Sequence, residues 1–128
     1  MALQIEISRV SKPGGVSSTV VKFTGMLDTA TSPQADKELA PVLASPPPVV
    51  EFNLAGLTFV SSAGLRVLLG SRKTLGAKGA KCYLTNAQPQ VQKVFEIVKA
   101  LPDMSVFSST QELDKYLAEM QRKVVEGE

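Results

Sequence analysis

Apolar and polar residues alternate from the start of the chain, where Leu3, Ile5 and Ile7 are separated by Gln4 and Glu6 and followed by Ser8. A period of two predicts a strand with one face turned inward. Lys12, Pro13, Gly14 and Gly15 supply a turn, and the β-branched run from Val16 to Phe23 predicts the return strand of a hairpin that stops at Gly25. Ser32 followed by Pro33 then marks a helix start, with Ala35, Leu39, Val42 and Leu43 on one face. Pro41 should kink or end that helix, because proline lacks a donor and clashes one turn back. Ser45 and the three prolines 46–48 predict a stiff extended connector.

Alternation returns from Val49 to Leu54, with Val50, Phe52 and Leu54 on one side and Glu51 and Asn53 on the other. That pattern predicts a strand covered on one face only. After Phe59 and Val60 the period changes: Leu65, Leu68, Leu69 and Leu75 follow helical spacing opposite Arg66 and Lys73, so a helix begins near Ser61 or Ser62 and ends at Gly76 and Gly79. Cys82, Tyr83 and Leu84 predict a short strand, and Val91, Val94, Phe95 and Val98 a helix that Pro102 terminates. Val106 and Phe107 allow a last strand. Ser109 with Glu112 then forms a capping box before Leu113, Tyr116, Leu117, Met120 and Val124. No internal repeat is present. The order implies an α/β fold in one domain spanning 1–128, with a core over about 3–122 and a frayed tail at 125–128. Its mixed sheet combines an antiparallel N-terminal hairpin with right-handed parallel crossovers and about four helices.

Composition narrows the chemistry. The 128 residues include no His, no Trp and one Cys, which excludes Ser-His and Cys-His nucleophile pairs, His-ligated metals and zinc clusters. The sequence points to no catalytic residue, metal or cofactor. A formal net charge of +2 gives no general electrostatic case for nucleic acid, and charges interrupt every apolar run short of membrane-spanning length. With a single Cys82, read as a small buried hydrophobe, and no basic-plus-apolar leader, a reducing cytoplasmic setting without direct membrane insertion is expected. Charge is nevertheless uneven: from Phe52 to Phe95 the chain carries Arg66, Arg72, Lys73, Lys78, Lys81 and Lys93 and no acid. Such a stretch is ordinarily a solvated basic face, and its functional alternative is steering toward an acidic partner or a phosphate-bearing ligand. Gly64, Gly70 and Lys73 have the wrong spacing for a phosphate-binding loop of NTPases.

The most informative stretch runs from Leu57 to Leu69, where a strand gives way to two serines that open an amphipathic helix. A serine there ordinarily caps the helix amides. The sharper reading is phosphorylation, since a phosphate at that place meets backbone donors and the positive end of the helix dipole and changes surface charge without unfolding the domain.

The run from Leu54 through Gly56, Leu57, Thr58, Phe59, Val60, Ser61, Ser62, Ala63, Gly64 and Leu65 resembles the signature of anti-sigma factor antagonists, the STAS domain family. Gly25, Met26, Leu27, Asp28 and Thr29 resemble the Gly-x-Leu-Asp loop that follows the second strand in that family. The resemblance implies a non-enzymatic regulator that works by partner switching. Unphosphorylated, it binds a serine-kinase anti-sigma factor; phosphorylated at the position matching Ser62, it is released, and a phosphatase restores it. It also implies that Asp28, Thr29, Ser61, Ser62, Ala63, Gly64 and Arg66 contact the partner. Ser61 and Asn53 stand where the family usually has Asp, which makes the site less acidic, leaves Ser61 as the alternative acceptor, and permits a STAS scaffold or interaction subunit of a stress-signalling or transport complex without a phosphorylation cycle. A small-ligand or nucleotide site on the basic segment is a third possibility.

Overall fold

A computed structural model describes residues 3–98, 105–107, 110–115 and 117–118. Its elements are β1 (Gln4–Lys12), β2 (Val16–Leu27), α1 (Ser32–Ala44), β3 (Val49–Val60), α2 (Ser62–Ala77), β4 (Lys81–Thr85), α3 (Pro89–Val98) and β5 (Ser105–Phe107), followed by a helical segment at 110–115 and 117–118. Pro102, Ser109, Tyr116, Met120, Val124 and the tail 125–128, to which the sequence assigns a helix stop, a cap, helix-face positions and fraying, lie outside the described residues. So do the side chains of Phe95, Val98, Val106 and Phe107.

One five-stranded sheet has the order β1-β2-β3-β4-β5, antiparallel between β1 and β2 and parallel from β2 onward. This is the mixed sheet that the element order predicts. Successive parallel strands added in one direction, each through a crossover of the same hand, put all the crossover helices on the same face. The packing agrees. Ala35, Leu39 and Val42 of α1, Leu65, Leu68 and Leu75 of α2, and Val91 of α3 share one core with Val21, Phe23, Val50, Phe52 and Leu84 of the sheet. Phe23 and Phe52 meet edge to face at 5.6 Å between ring centres.

The opposite face is left to the C-terminal segment. Leu113 and Leu117 pack there on Val49 and Tyr83, with Val16 at the margin. Glu51 lies on this face and is wholly buried, which corrects the expectation that β3 is covered on one side only. Its Oε1 lies 2.7 Å from Lys12 Nζ, and its Oε2 accepts hydrogen bonds of 2.7 Å from both Thr85 and Thr110. Lys12 also lies 2.8 Å from Asp114 Oδ1. Burial alone would push the Glu51 carboxyl up; hydrogen bonds from Lys12, Thr110 and Thr85, with the lysine charge, outweigh it and hold the group below its ordinary value. Burial would likewise lower Lys12, but Asp114 and Glu51 hold it above its ordinary value.

Other differences have local causes. Leu3 is buried and Ile5 half-buried, but the cover does not reach Ile7, which is 43% exposed on the edge strand. β2 passes through Gly25 to Leu27, because Gly25 adopts a φ of 107° and absorbs a register shift instead of ending the strand. Likewise β3 continues past Leu54 to Val60. α1 continues through Pro41 to Ala44: the missing donor would have served Lys37, and only the last turn follows, closed by the Ser45 N–H on the Pro41 carbonyl at 3.3 Å.

Removing one member of the buried pair should be costly. Glu51→Ala should lower the unfolding free energy by roughly 3–5 kcal/mol, because it strands the Lys12 charge, whereas Lys12→Met with Glu51→Leu should recover most of that loss in urea titrations. The pH dependence follows from the directions of the shifts. A depressed Glu51 contributes stability above its unfolded value, lost as pH falls through the folded one; a raised Lys12 contributes below its unfolded value, lost as pH rises through the folded one. Unfolding midpoints should therefore form a plateau across neutral pH, with flanks that flatten in the double variant.

Candidate functional site

β2 and β3 run parallel and end side by side, with Leu27 opposite Val60. The segments leaving them are therefore neighbours at the carboxyl edge of the sheet, the usual place for sites in parallel α/β folds. The Ser61 N–H donates to the Leu27 carbonyl at 3.0 Å, and the Thr58 hydroxyl to the Gly25 carbonyl at 3.0 Å. Closest of all is Gly64, buried where an added Cβ would collide with the Leu27 carbonyl oxygen and side chain. The glycine lets α2 start against the end of β2.

The loop after β2 is ordered by its own polar groups. Asp28 Oδ1 accepts the Thr31 N–H at 3.0 Å, and the Thr31 hydroxyl accepts the Asp28 N–H at 2.9 Å while lying 2.9 Å from the Met26 carbonyl. The Ser32 N–H and hydroxyl both donate to the Asp28 carbonyl, at 2.8 and 2.6 Å. Ser32, read from sequence as the cap of α1, is thus its first residue, and Asp28 holds the turn that precedes it. Asp28 is half-buried and Thr29 exposed.

The two serines have different positions. Ser61 is the N-cap of α2: its backbone is extended (φ −92°, ψ 176°), its Oγ accepts the Gly64 N–H at 3.2 Å, and its carbonyl accepts the Leu65 N–H at 2.8 Å. Ser62 is the first helical residue and exposed, and its hydroxyl makes no hydrogen bond among the described residues. Ala63 is half-buried and Arg66 exposed. Asn53 is occupied away from the serines, its Oδ1 accepting the Ala55 N–H at 3.0 Å and the Asn86 side-chain amide at 3.2 Å.

Ser62 opens a shallow groove along α2, lined by Leu65, Arg66, Leu69, Gly70 and Lys73. Leu69, Gly70 and Lys73 were not singled out as site residues in the sequence, although the helical period marks them: they lie 7, 8 and 11 positions after Ser62, on its face. Cys82 lies apart, half-buried in β4; burial, opposed by the nearby Arg72 charge, pushes its thiol up to about 12. The site therefore offers hydroxyls, a helix N-terminus and two exposed cations, a set suited to recognition and modification.

Three substitutions should separate these roles. Gly64→Ala should cost about 1–3 kcal/mol through overpacking against Leu27, and Ser61→Ala about 1 kcal/mol through loss of the cap, whereas Ser62→Ala should stay within about 0.5 kcal/mol; chemical denaturation reads all three. Cys82 should alkylate far more slowly in the folded protein than after unfolding, since raising the thiol from 9.0 to about 12 leaves roughly a thousandth of the thiolate.

Comparison with known proteins agrees with this architecture. An anti-sigma-B factor antagonist of Staphylococcus epidermidis is 28% identical over 91 residues, covering 71% of this chain and 84% of its own length. The crystal structure of an anti-sigma factor antagonist from Mycobacterium paratuberculosis superimposes with a TM-score of 0.78 at 16% identity, over 92% of this chain and 95% of that one. The Bacillus cell fate determinant SpoIIAA in its phosphorylated form does so with a TM-score of 0.64 at 21% identity, over 88% and 99%. The STAS domain profile matches residues 8–113, and with that span, strand order and helix arrangement the chain belongs to the STAS domain family.

Proposed function

We propose that this protein is an anti-sigma factor antagonist that works by partner switching, with Ser62 as its phosphorylation site. The observation that carries the reading is the division of labour between the serines: Ser61 is committed to capping α2, while the Ser62 hydroxyl stands exposed one residue on, with no hydrogen bond among the described residues. The names of the relatives support it, since one is an anti-sigma-B factor antagonist and another was solved in a phosphorylated form.

In this reading the unmodified protein binds a cytoplasmic serine-kinase anti-sigma factor through the carboxyl edge of the sheet. Thr29, Ser62 and Arg66 supply exposed contacts, and Ala63 and Asp28 half-buried ones, while Ser61 and Gly64 set the approach of α2. The kinase moves the γ-phosphoryl group of ATP to Ser62 Oγ: the new O–P bond forms as the bond to ADP breaks, and the hydroxyl proton leaves to a base of the kinase. The phosphate adds about −1.5 to −2 charge at the positive end of the α2 dipole, so the fold persists and the surface changes. A phosphatase reverses the step.

Ser61 and Asn53, standing where the family usually has Asp, favour the second reading, a scaffold or interaction subunit without the cycle. Intact mass and phosphopeptide mapping of the protein from its own cells decide between them. One phosphate on Ser62, lost in Ser62→Ala, is expected. A label persisting in that variant would move the site to Ser61, and no phosphate across growth and stress conditions, with the peptide well covered, would leave the scaffold.

A further inference from the structure

The α2 groove has a character that the switch reading does not use. Its floor is apolar, made by Leu65 and the half-buried Leu69. The space beside Gly70 is open, since a Cβ there would meet nothing within 4 Å. Arg66 and Lys73 stand on its rim, both exposed, and neither forms an ion pair among the described residues. No acid lies anywhere from Phe52 to Phe95. From Ser62 to Lys73 the groove follows about three helical turns, roughly 16 Å at 1.5 Å per residue.

We infer that this groove receives an acidic amphipathic helix of the partner protein. An apolar floor made by Leu65 and Leu69, one turn apart, matches a pair of anchors on a helix laid in a groove, and a rim of one sign selects acidic flanks. The same geometry gives the modification its effect. Ser62 lies one turn before Arg66 on the groove face, so a phosphate on Ser62 meets Arg66 at i,i+4 spacing and takes it into an intrachain pair. Its charge of about −1.5 to −2 more than offsets Arg66, and the Ser62 end of the groove then repels an acidic helix. The regulatory half of this inference rests on Ser62 being the modified residue; the groove itself does not.

The test uses the full chain and a synthetic amphipathic helix of about 20 residues, long enough to be helical alone, with leucines along one stripe and glutamates beside it, and a twin carrying lysines instead. Amide chemical shifts map the contact and fluorescence anisotropy gives the affinity. The acidic helix is expected to move the amides from Ser62 to Lys73, to bind at least about tenfold more tightly than its lysine twin, and to weaken with salt. Arg66→Glu with Lys73→Glu, both at exposed positions, should cost about tenfold or more, and so should phosphoserine placed at position 62. No binding, shifts confined to another face, or equal affinity for the two peptides would overturn the groove assignment even if cells phosphorylate Ser62. Groove binding indifferent to phosphoserine would overturn the regulatory half. Absence of phosphate in cells would count against the switch reading and leave the groove result standing.

Discussion

The pairing of Lys12 with Glu51 governs how this sheet can be covered. Three crossover helices occupy one face because the strands follow one another in sequence order, and among the described residues the other face is covered by the C-terminal segment. A charged side chain near the centre of that second face has to be neutralised before anything can pack over it. Lys12 supplies the charge from the end of the edge strand, Thr85 a hydrogen bond from β4, and Thr110 another from the covering segment itself. The same lysine reaches Asp114 of the C-terminal segment, so one cation ties the hairpin to the cover. A buried pair of this kind is weak evidence of stability on its own account; what it imposes is geometric. Four distant parts of the chain must be correctly docked for its lone pairs and protons to be matched.

That network was also the least legible part of the sequence. Alternation placed Glu51 opposite Val50 and Phe52 correctly, yet a single acid in an alternating strand has the same local signature whether it meets water or a lysine 39 residues away. The partner is visible only in three dimensions. Elements set by local rules were readable: the hairpin turn with Gly14 and Gly15 at positive φ, the helix start near Ser61, and the crossover order all follow from period and punctuation. Gly25 and Pro41 misled for a common reason. Both are breakers by propensity, and each sits where the structure tolerates it, Gly25 at a bulge and Pro41 one turn from a helix end.

At the candidate site the motif was readable as a motif, but its internal division was not. Two adjacent serines before a helix offer the cap role to either one, and only the extended backbone of Ser61 and its bond to the Gly64 N–H assign it. Asp28 and Gly64 show a related limit. Both stand out in the sequence, and both act first on the architecture of the site, Asp28 by fixing the turn into α1 and Gly64 by admitting α2 against Leu27.

The two polar centres lie at opposite ends of the same strand, and this separation bears on how a modification can act. Glu51 is near the start of β3 and Ser61 follows its end, ten residues on. At about 3.3 Å per residue the gap is roughly 30 Å, several times the Debye length of about 8 Å at physiological ionic strength. A phosphate at Ser62 therefore exerts little force on the buried pair that orders the sheet. Near the serine the helix dipole favours the new charge, so the local backbone has no reason to melt. With neither the core nor the helix start disturbed, the consequence of modification is confined to the few ångströms around α2, where Arg66 is the nearest cation on the groove face. A switch built this way changes recognition while leaving the scaffold in place.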